Sequence, residues 1–104
     1  MIGVLVKTYL GIDSLNKDWI PNLINAKLLN QAFLAVLGYI PQSEKFCHKS
    51  ENCMIHFTVD DLNNPRSLSF NCTLTETASE IIKKISDSIG TKIYCGEECD
   101  FIEL

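Results

Sequence analysis

The stretch that decides the fold is residues 54–90, which read MIHFTVDDLNNPRSLSFNCTLTETASEIIKKISDSIG. In its first part apolar and polar side chains alternate, and a period of two is typical of a strand with one buried face. The inward positions predicted for two such strands are Ile55, Phe57 and Val59, followed by Leu68, Phe70, Cys72 and Leu74. Residues 60–66 between them are rich in Asp, Asn and Pro, which favour turns. The stretch therefore begins with a β-hairpin that has a longer loop.

A helix is predicted to follow the hairpin over residues 78–89. Thr77 and Glu80 form the T-x-x-E pattern of a capping box, with Thr77 as the N-cap. Apolar residues recur at helical spacing and form one stripe: Ala78, Ile81, Ile82, Ile85 and Ile89. Gly90 tolerates the left-handed conformation in which helices often end. The local signals of this segment therefore agree with one another.

A first strand is predicted upstream, in residues 2–10. These residues are almost continuously apolar and are followed by Gly11, a pattern that is typical of a strand buried on both faces. A short turn is expected to start at Asp13 or Ser14. Residues 42–51 are predicted to form a mobile loop.

A long helix is predicted between Pro21, which suits the first helical position, and Gly38, which favours a stop. Its last two turns are apolar on nearly all sides, which is unusual for a helix that lies on a sheet. One alternative is that residues 39–52 fold back over this surface, and this alternative is favoured. The other is that the surface meets a second protein or a second copy of the chain. The residues predicted to make that contact are Phe33, Leu34 and Leu37.

The fold class follows from the order of these elements. Residues 91–104 predict one strand broken by a turn, or two short strands. The order strand, helix, strand, strand, helix, strand then closes most simply as an α+β two-layer sandwich of ferredoxin-like type, with a mainly antiparallel sheet. A chain of 104 residues is expected to form a single domain over residues 1–104.

Composition excludes several classes of function. The formal net charge is −4 and the chain has one arginine, Arg66, so a nucleic-acid partner is not expected. No apolar run is long enough to span a bilayer, and the first ten residues lack the basic region and cleavage pattern of a signal peptide. We therefore expect an intracellular protein without membrane contact.

The cysteines and histidines do not form a recognisable site. Five cysteines is an odd count, and the pairs Cys47/Cys53 and Cys95/Cys99 lack the C-x2-C spacing of common zinc sites. Cys47 and His48 are adjacent, and adjacent side chains usually point apart, which argues against a catalytic dyad. No phosphate-binding or hydrolase motif is present. We expect no metal, no cofactor and no catalytic residue, with a small zinc-binding or Cys/His enzyme domain as an alternative.

Residues 52–104 taken alone predict a second topology. The strand around residues 52–57, the outward-polar second strand and the Thr-capped helix with residues 81–84 resemble the Ras-association and Ras-binding modules. The resemblance implies a ubiquitin-like β-grasp with an N-terminal strand–helix extension. It also implies that a small GTPase adds a strand to the sheet edge. Arg66, Lys83 and Lys84 would then contact the acidic switch region of that GTPase.

The sequence therefore favours a non-enzymatic protein–protein interaction module, such as an adaptor, an inhibitor or an assembly subunit. The contact is predicted either at the apolar end of the first helix, with homo-oligomerisation through the helix ending at Leu37 as one form, or at an open sheet edge. A small-GTPase-binding domain is the alternative.

Overall fold

The structure, a computed structural model, describes residues 1–8, 20–50 and 52–104. In chain order its elements are β1 (Ile2–Val6), α1 (Ala26–Leu37), β2 (Lys45–Ser50), β3 (Cys53–Val59), β4 (Ser67–Cys72), α2 (Glu76–Ile89), β5 (Lys92–Cys95) and β6 (Asp100–Ile102). The strands lie in the order β2-β3-β4-β1-β5-β6, and each neighbouring pair is antiparallel. The two helices contact each other and share one core with the sheet. The predicted α+β two-layer sandwich is confirmed.

All six predicted elements are present, and they follow one another along the chain as predicted. The four predicted strands are β1, β3, β4 and β5, and they occupy the centre of the sheet. Two further strands, β2 and β6, form its edges, and β6 is the second of the two short strands considered for the C-terminal segment. The assignment to a ferredoxin-like or a β-grasp family stays a prediction.

The predicted hairpin is confirmed. Its inward residues are buried in the core: Ile55, Phe57, Val59, Leu68, Phe70 and Cys72. Leu74 was predicted to point inward, but it is exposed because β4 ends at Cys72 and the alternation of a strand no longer applies beyond it.

The predicted mobile loop at residues 42–51 is wrong over Lys45–Ser50, where the chain forms β2. Phe46 lies opposite Phe57, and His48 lies opposite Ile55, so both side chains extend the inward face of β3. The outward residues of this edge strand are Lys45, Cys47 and Lys49, and His48 is the one buried residue among its six. A half-exposed edge strand therefore has a composition similar to that of a loop.

The predicted start of the first helix at Pro21 is also wrong. The helix begins after Asn25, whose side chain accepts a backbone hydrogen bond from the first turn. Upstream of it, the backbone N–H of Asn22 donates to the carbonyl of Lys7 at 3.1 Å, so this segment continues the end of β1 as an isolated bridge. The stop at Gly38 is confirmed, since its φ of 89° lies in the left-handed region.

Of the strand predicted at residues 2–10, Ile2–Val6 form β1, and residues 9–10 lie outside the described residues. Leu5 and Val6 are buried, but Ile2 is exposed, so burial on both faces holds only for the end of the strand. Gly11 and the turn predicted at Asp13 or Ser14 lie outside the described residues.

The second helix is capped two residues earlier than predicted. The side chain of Thr75 accepts the backbone N–H of Ala78 at 3.2 Å, and Thr77 is exposed inside the first turn. Replacement of Thr75 with Ala is therefore expected to lower the free energy of unfolding by about 1 kcal/mol. Thr77→Ala should change it by less than about 0.5 kcal/mol. Urea unfolding of both variants checks the assignment, which is wrong if Thr77→Ala is the more costly change.

Candidate functional site

The end of α1 predicted to contact a partner divides into a buried and an exposed side. Phe33 is 0% exposed, and its ring meets those of Phe46 and Phe57 edge-on at centroid distances of 5.4 and 6.4 Å. Leu37 is half-buried against the same core. Phe33 is therefore a core residue rather than part of a partner surface, because β2 folds back over it. Leu34 is 54% exposed and remains on the surface.

Other exposed residues of α1 lie near Leu34 at helical spacing. Leu28, Gln31, Leu34 and Ala35 are all exposed, and we call these four residues the α1 surface. Lys27, beside them, is the only charged residue of the helix. Leu28 and Ala35 were not among the predicted contact residues, although their spacing of seven residues places them on one face of a helix.

A tyrosine and a buried histidine join the exit of α1 to β2. The Tyr39 hydroxyl lies 3.0 Å from Nδ1 of His48, and the Tyr39 ring also meets the ring of Phe46 at 6.4 Å. His48 is 8% exposed, and burial lowers its pKa. Burial raises the pKa of Tyr39, and the nearby thiol of Cys47 adds to this effect. In the tautomer that carries its proton on Nε2, the neutral imidazole accepts a hydrogen bond from the Tyr39 hydroxyl at Nδ1.

The burial of His48 makes the stability of the fold depend on pH. Because its pKa is lower in the folded chain than the value of about 6.5 in an unfolded chain, the unfolded chain binds the proton first. The contribution of His48 to the free energy of unfolding is present above about pH 6.5 and is lost as the pH falls toward the pKa of His48 in the folded chain. We expect the free energy of unfolding to fall as the pH drops below about 6.5, and His48→Gln to remove most of this slope.

The exposed His56 provides the matched control for this measurement. Urea unfolding of His56→Gln should give the pH profile of the unmodified chain. A slope that persists in His48→Gln and disappears in His56→Gln would contradict the assignment.

The basic residues implied by the resemblance lie on different elements. Arg66 stands just before β4, where its guanidinium donates to the carbonyl of Pro21 at 2.8 Å. Lys83 and Lys84 are exposed neighbours on α2, and Lys83 borders an open groove between α2 and the β5–β6 hairpin. No contact among the described residues joins Arg66 to either lysine.

Most of the cysteines and histidines that the structure describes lie on several strands of the sheet. Cys47 and His48 lie on opposite faces of β2, and Cys47 instead stands opposite the exposed His56 across the β2–β3 pair. Three other cysteines are buried: Cys53, Cys72 and Cys95. Within residues 1–8, 20–50 and 52–104, no group of three or more His, Cys, Asp or Glu side chains is placed to hold a metal ion.

One open groove lies between α2 and β5–β6. Another lies at the end of the sheet beside Met54 and Thr73, and Cys53, His56 and Cys72 are among the residues that line it. In the described part of the chain, no buried side-chain nitrogen or oxygen lacks a hydrogen-bond partner. Neither groove therefore presents the unpaired buried polar atom that often marks a ligand site.

Comparisons of the chain with protein-family models, with curated proteins and with solved structures found no match. In the described residues, no helix is long and apolar enough to cross a bilayer; α1 has 12 residues and α2 has 14. A proposed function is therefore based on the surfaces described above.

Proposed function

We propose that this chain is a protein–protein interaction module that binds another protein through the α1 surface. The observation that carries the proposal is the composition of that surface. Leu28 and Leu34 are each about half exposed on a helix whose opposite side packs against the core, and Lys27 is the only charged residue of this helix.

Interface physics supports this choice of surface. Contiguous apolar patches on a monomer often mark interaction sites, and the centres of interfaces are depleted in charged residues. α1 is fixed from behind by Phe33 and β2, so its exposed residues are held on a rigid element. A surface on a rigid helix loses little backbone freedom on binding. An adaptor, an inhibitor or an assembly subunit would use such a contact, and so would a second copy of the chain.

The test is a charge on the α1 surface. Leu34→Asp is expected to leave the fold unchanged, because the side chain is exposed, and to weaken partner binding or self-association by at least about tenfold. Leu74→Asp is the matched control, since Leu74 is 48% exposed and lies outside both helices.

Both variants are compared with the unmodified chain by affinity capture from the native host and by molar mass in solution. Equal partners and equal molar mass for a folded Leu34→Asp would overturn the proposal. A circular dichroism spectrum and a urea midpoint for each variant establish that the fold is intact.

Small-GTPase binding, which the resemblance implies, is a second candidate because Lys83 and Lys84 are exposed neighbours on α2. Reversal of both charges separates the two candidates. It should abolish binding to a GTP-loaded small GTPase and leave a contact at the α1 surface unchanged.

A further inference from the structure

The two edges of the sheet differ in how their backbone groups are used. At the β2 edge, the N–H of Val59 donates to the carbonyl of Glu44 at 2.7 Å. In the register of the β2–β3 ladder, Glu44 and Val59 are opposite each other, so they form a hydrogen-bonded pair. Because bonded and non-bonded pairs alternate in an antiparallel ladder, the backbone groups of Phe46, His48 and Ser50 face β3. Those of Lys45, Cys47 and Lys49 face away from the sheet.

At the opposite edge, the outward backbone donor of β6 is held by the chain itself. The N–H of Gly96 donates to the carbonyl of Ile2 at 2.9 Å, and the same alternation then directs the backbone of Phe101 away from β5. The side chain of Asp100 accepts the Phe101 N–H at 2.8 Å. β6 has three residues, so its outward donor within the strand is already occupied.

The β2 edge is open by comparison. The Ser43 hydroxyl donates to the carbonyl of Lys45 at 2.7 Å. Within the described chain, no hydrogen bond holds the outward N–H and C=O groups of Cys47 and Lys49. β2 therefore offers two consecutive outward residues whose backbone can bind an added strand.

Lysines on this edge disfavour pairing with a second copy. In an antiparallel β2–β2 pair that uses all three outward residues, Cys47 would face Cys47 of the second copy. Lys45 would face Lys49 twice, and like charges directly opposite each other destabilise a sheet. Edge lysines are a common device against such self-pairing.

The same lysines favour an acidic strand. The solvent-facing residues of β2, β3 and β4 include Lys45, Lys49 and His56 and no carboxylate: Lys45, Cys47, Lys49, Met54, His56, Thr58, Ser67, Ser69 and Asn71. Lys45 and Lys49 lie four residues apart on one face of β2. An extended segment with acidic residues four apart matches this spacing when paired in register.

We propose that the β2 edge binds an extended segment of another protein as a seventh strand, with two acidic residues, four positions apart, facing Lys45 and Lys49. A small residue would face Cys47 between them. The intervening residues would lie on the inner side, beside Phe46 and His48, where the ring of Tyr39 is partly exposed. This site is separate from the α1 surface, so it can fail or succeed independently of the proposed function.

The test measures binding of labelled peptides to the full chain by fluorescence anisotropy. One probe is the capped peptide Thr-Glu-Val-Ser-Val-Glu-Thr, and the other carries Lys in place of both Glu residues. We expect saturable binding of the acidic peptide, weakened by salt, and at least about tenfold weaker binding of the basic one.

A charge swap makes the result specific. The double variant Lys45→Glu, Lys49→Glu should prefer the basic peptide. The control Lys92→Glu, at an exposed lysine on β5 near the opposite edge of the sheet, should keep the original preference. On binding, the amide protons of Cys47 and Lys49 should become protected from hydrogen exchange, which a purely electrostatic contact would not cause.

Three results would overturn the proposal. One is equal binding of the two peptides by the unmodified chain. Another is an unchanged preference after the charge swap. The third is a concentration-dependent molar mass, abolished by the swap, which would assign the edge to a second copy of the chain.

Discussion

Replacement of Phe33 with Ala is expected to lower the free energy of unfolding by about 3–5 kcal/mol. The side chain is fully buried, and its ring contacts Phe46 from β2 and Phe57 from β3. The change removes buried apolar area and leaves a cavity between α1 and the sheet. Because a domain of this size is stabilised by about 5–15 kcal/mol in total, the variant should lose a large fraction of its stability. Urea unfolding measures the loss.

The neighbouring residue provides the control. Leu34→Ala should change the free energy of unfolding by less than about 1 kcal/mol, since Leu34 is half exposed. A small loss for Phe33→Ala together with a large loss for Leu34→Ala would reverse the buried and exposed sides of α1. That result would remove the basis of the proposed binding surface.

Replacement of Gly3 with Ala, which adds a single methyl group, is expected to lower the free energy of unfolding by about 1–3 kcal/mol. Gly3 is buried in β1 between β4 and β5. A Cβ atom there would lie 2.5 Å from Cζ of Phe70 and 2.8 Å from the carbonyl oxygen of Tyr94. The Phe70 ring is buried and has little room to move, and the carbonyl belongs to the neighbouring strand β5.

Gly96→Ala is the matched comparison for Gly3→Ala. The new Cβ at residue 96 would lie 3.2 Å from the carbonyl oxygen of Ile2, a tight contact that a small shift relieves. Thermal or urea unfolding should therefore rank Gly3→Ala as clearly the more costly of the two. An equal cost would show that the core around Phe70 is looser than the structure indicates.

The central hairpin could be predicted from sequence because its local signals are redundant. Ile55, Phe57 and Val59 each alternate with a polar residue, and the partner strand repeats the pattern. Helix α2 was predicted almost to its ends, but its cap was misplaced because Thr75 and Thr77 both suit an N-cap. The two threonines are distinguished by the preceding strand: β4 ends at Cys72, and the helix begins soon afterwards with Thr75 as its N-cap.

The two errors in the N-terminal half have a common physical origin. β2 is an edge strand with one neighbour, so its outward residues carry no apolar signal, and Phe46 alone marks its inner face strongly. Pro21 is a good helix start in isolation. The bridge between Asn22 and Lys7 instead extends this segment beside the end of β1. In both cases a tertiary contact overrides the local preference.

The excess of apolar residues in α1 predicted a contact surface on this helix, but the linear pattern cannot tell which of its sides the sheet covers. Phe33 was assigned to the surface and lies in the core, whereas Leu28 was not among the predicted contact residues and lies on the surface. The open β2 edge was found from which residues of β2 direct their backbone hydrogen bonds toward β3. This alternation depends on strand pairing and cannot be read from composition.

Site-specific photo-crosslinking in the native host tests most directly whether the α1 surface binds a protein. A photoreactive phenylalanine analogue at position 34 should give a covalent adduct of defined mass. The same analogue at position 74, where exposure is similar, should give none. An absence of adduct at position 34, or equal adducts at both positions, would contradict binding through α1.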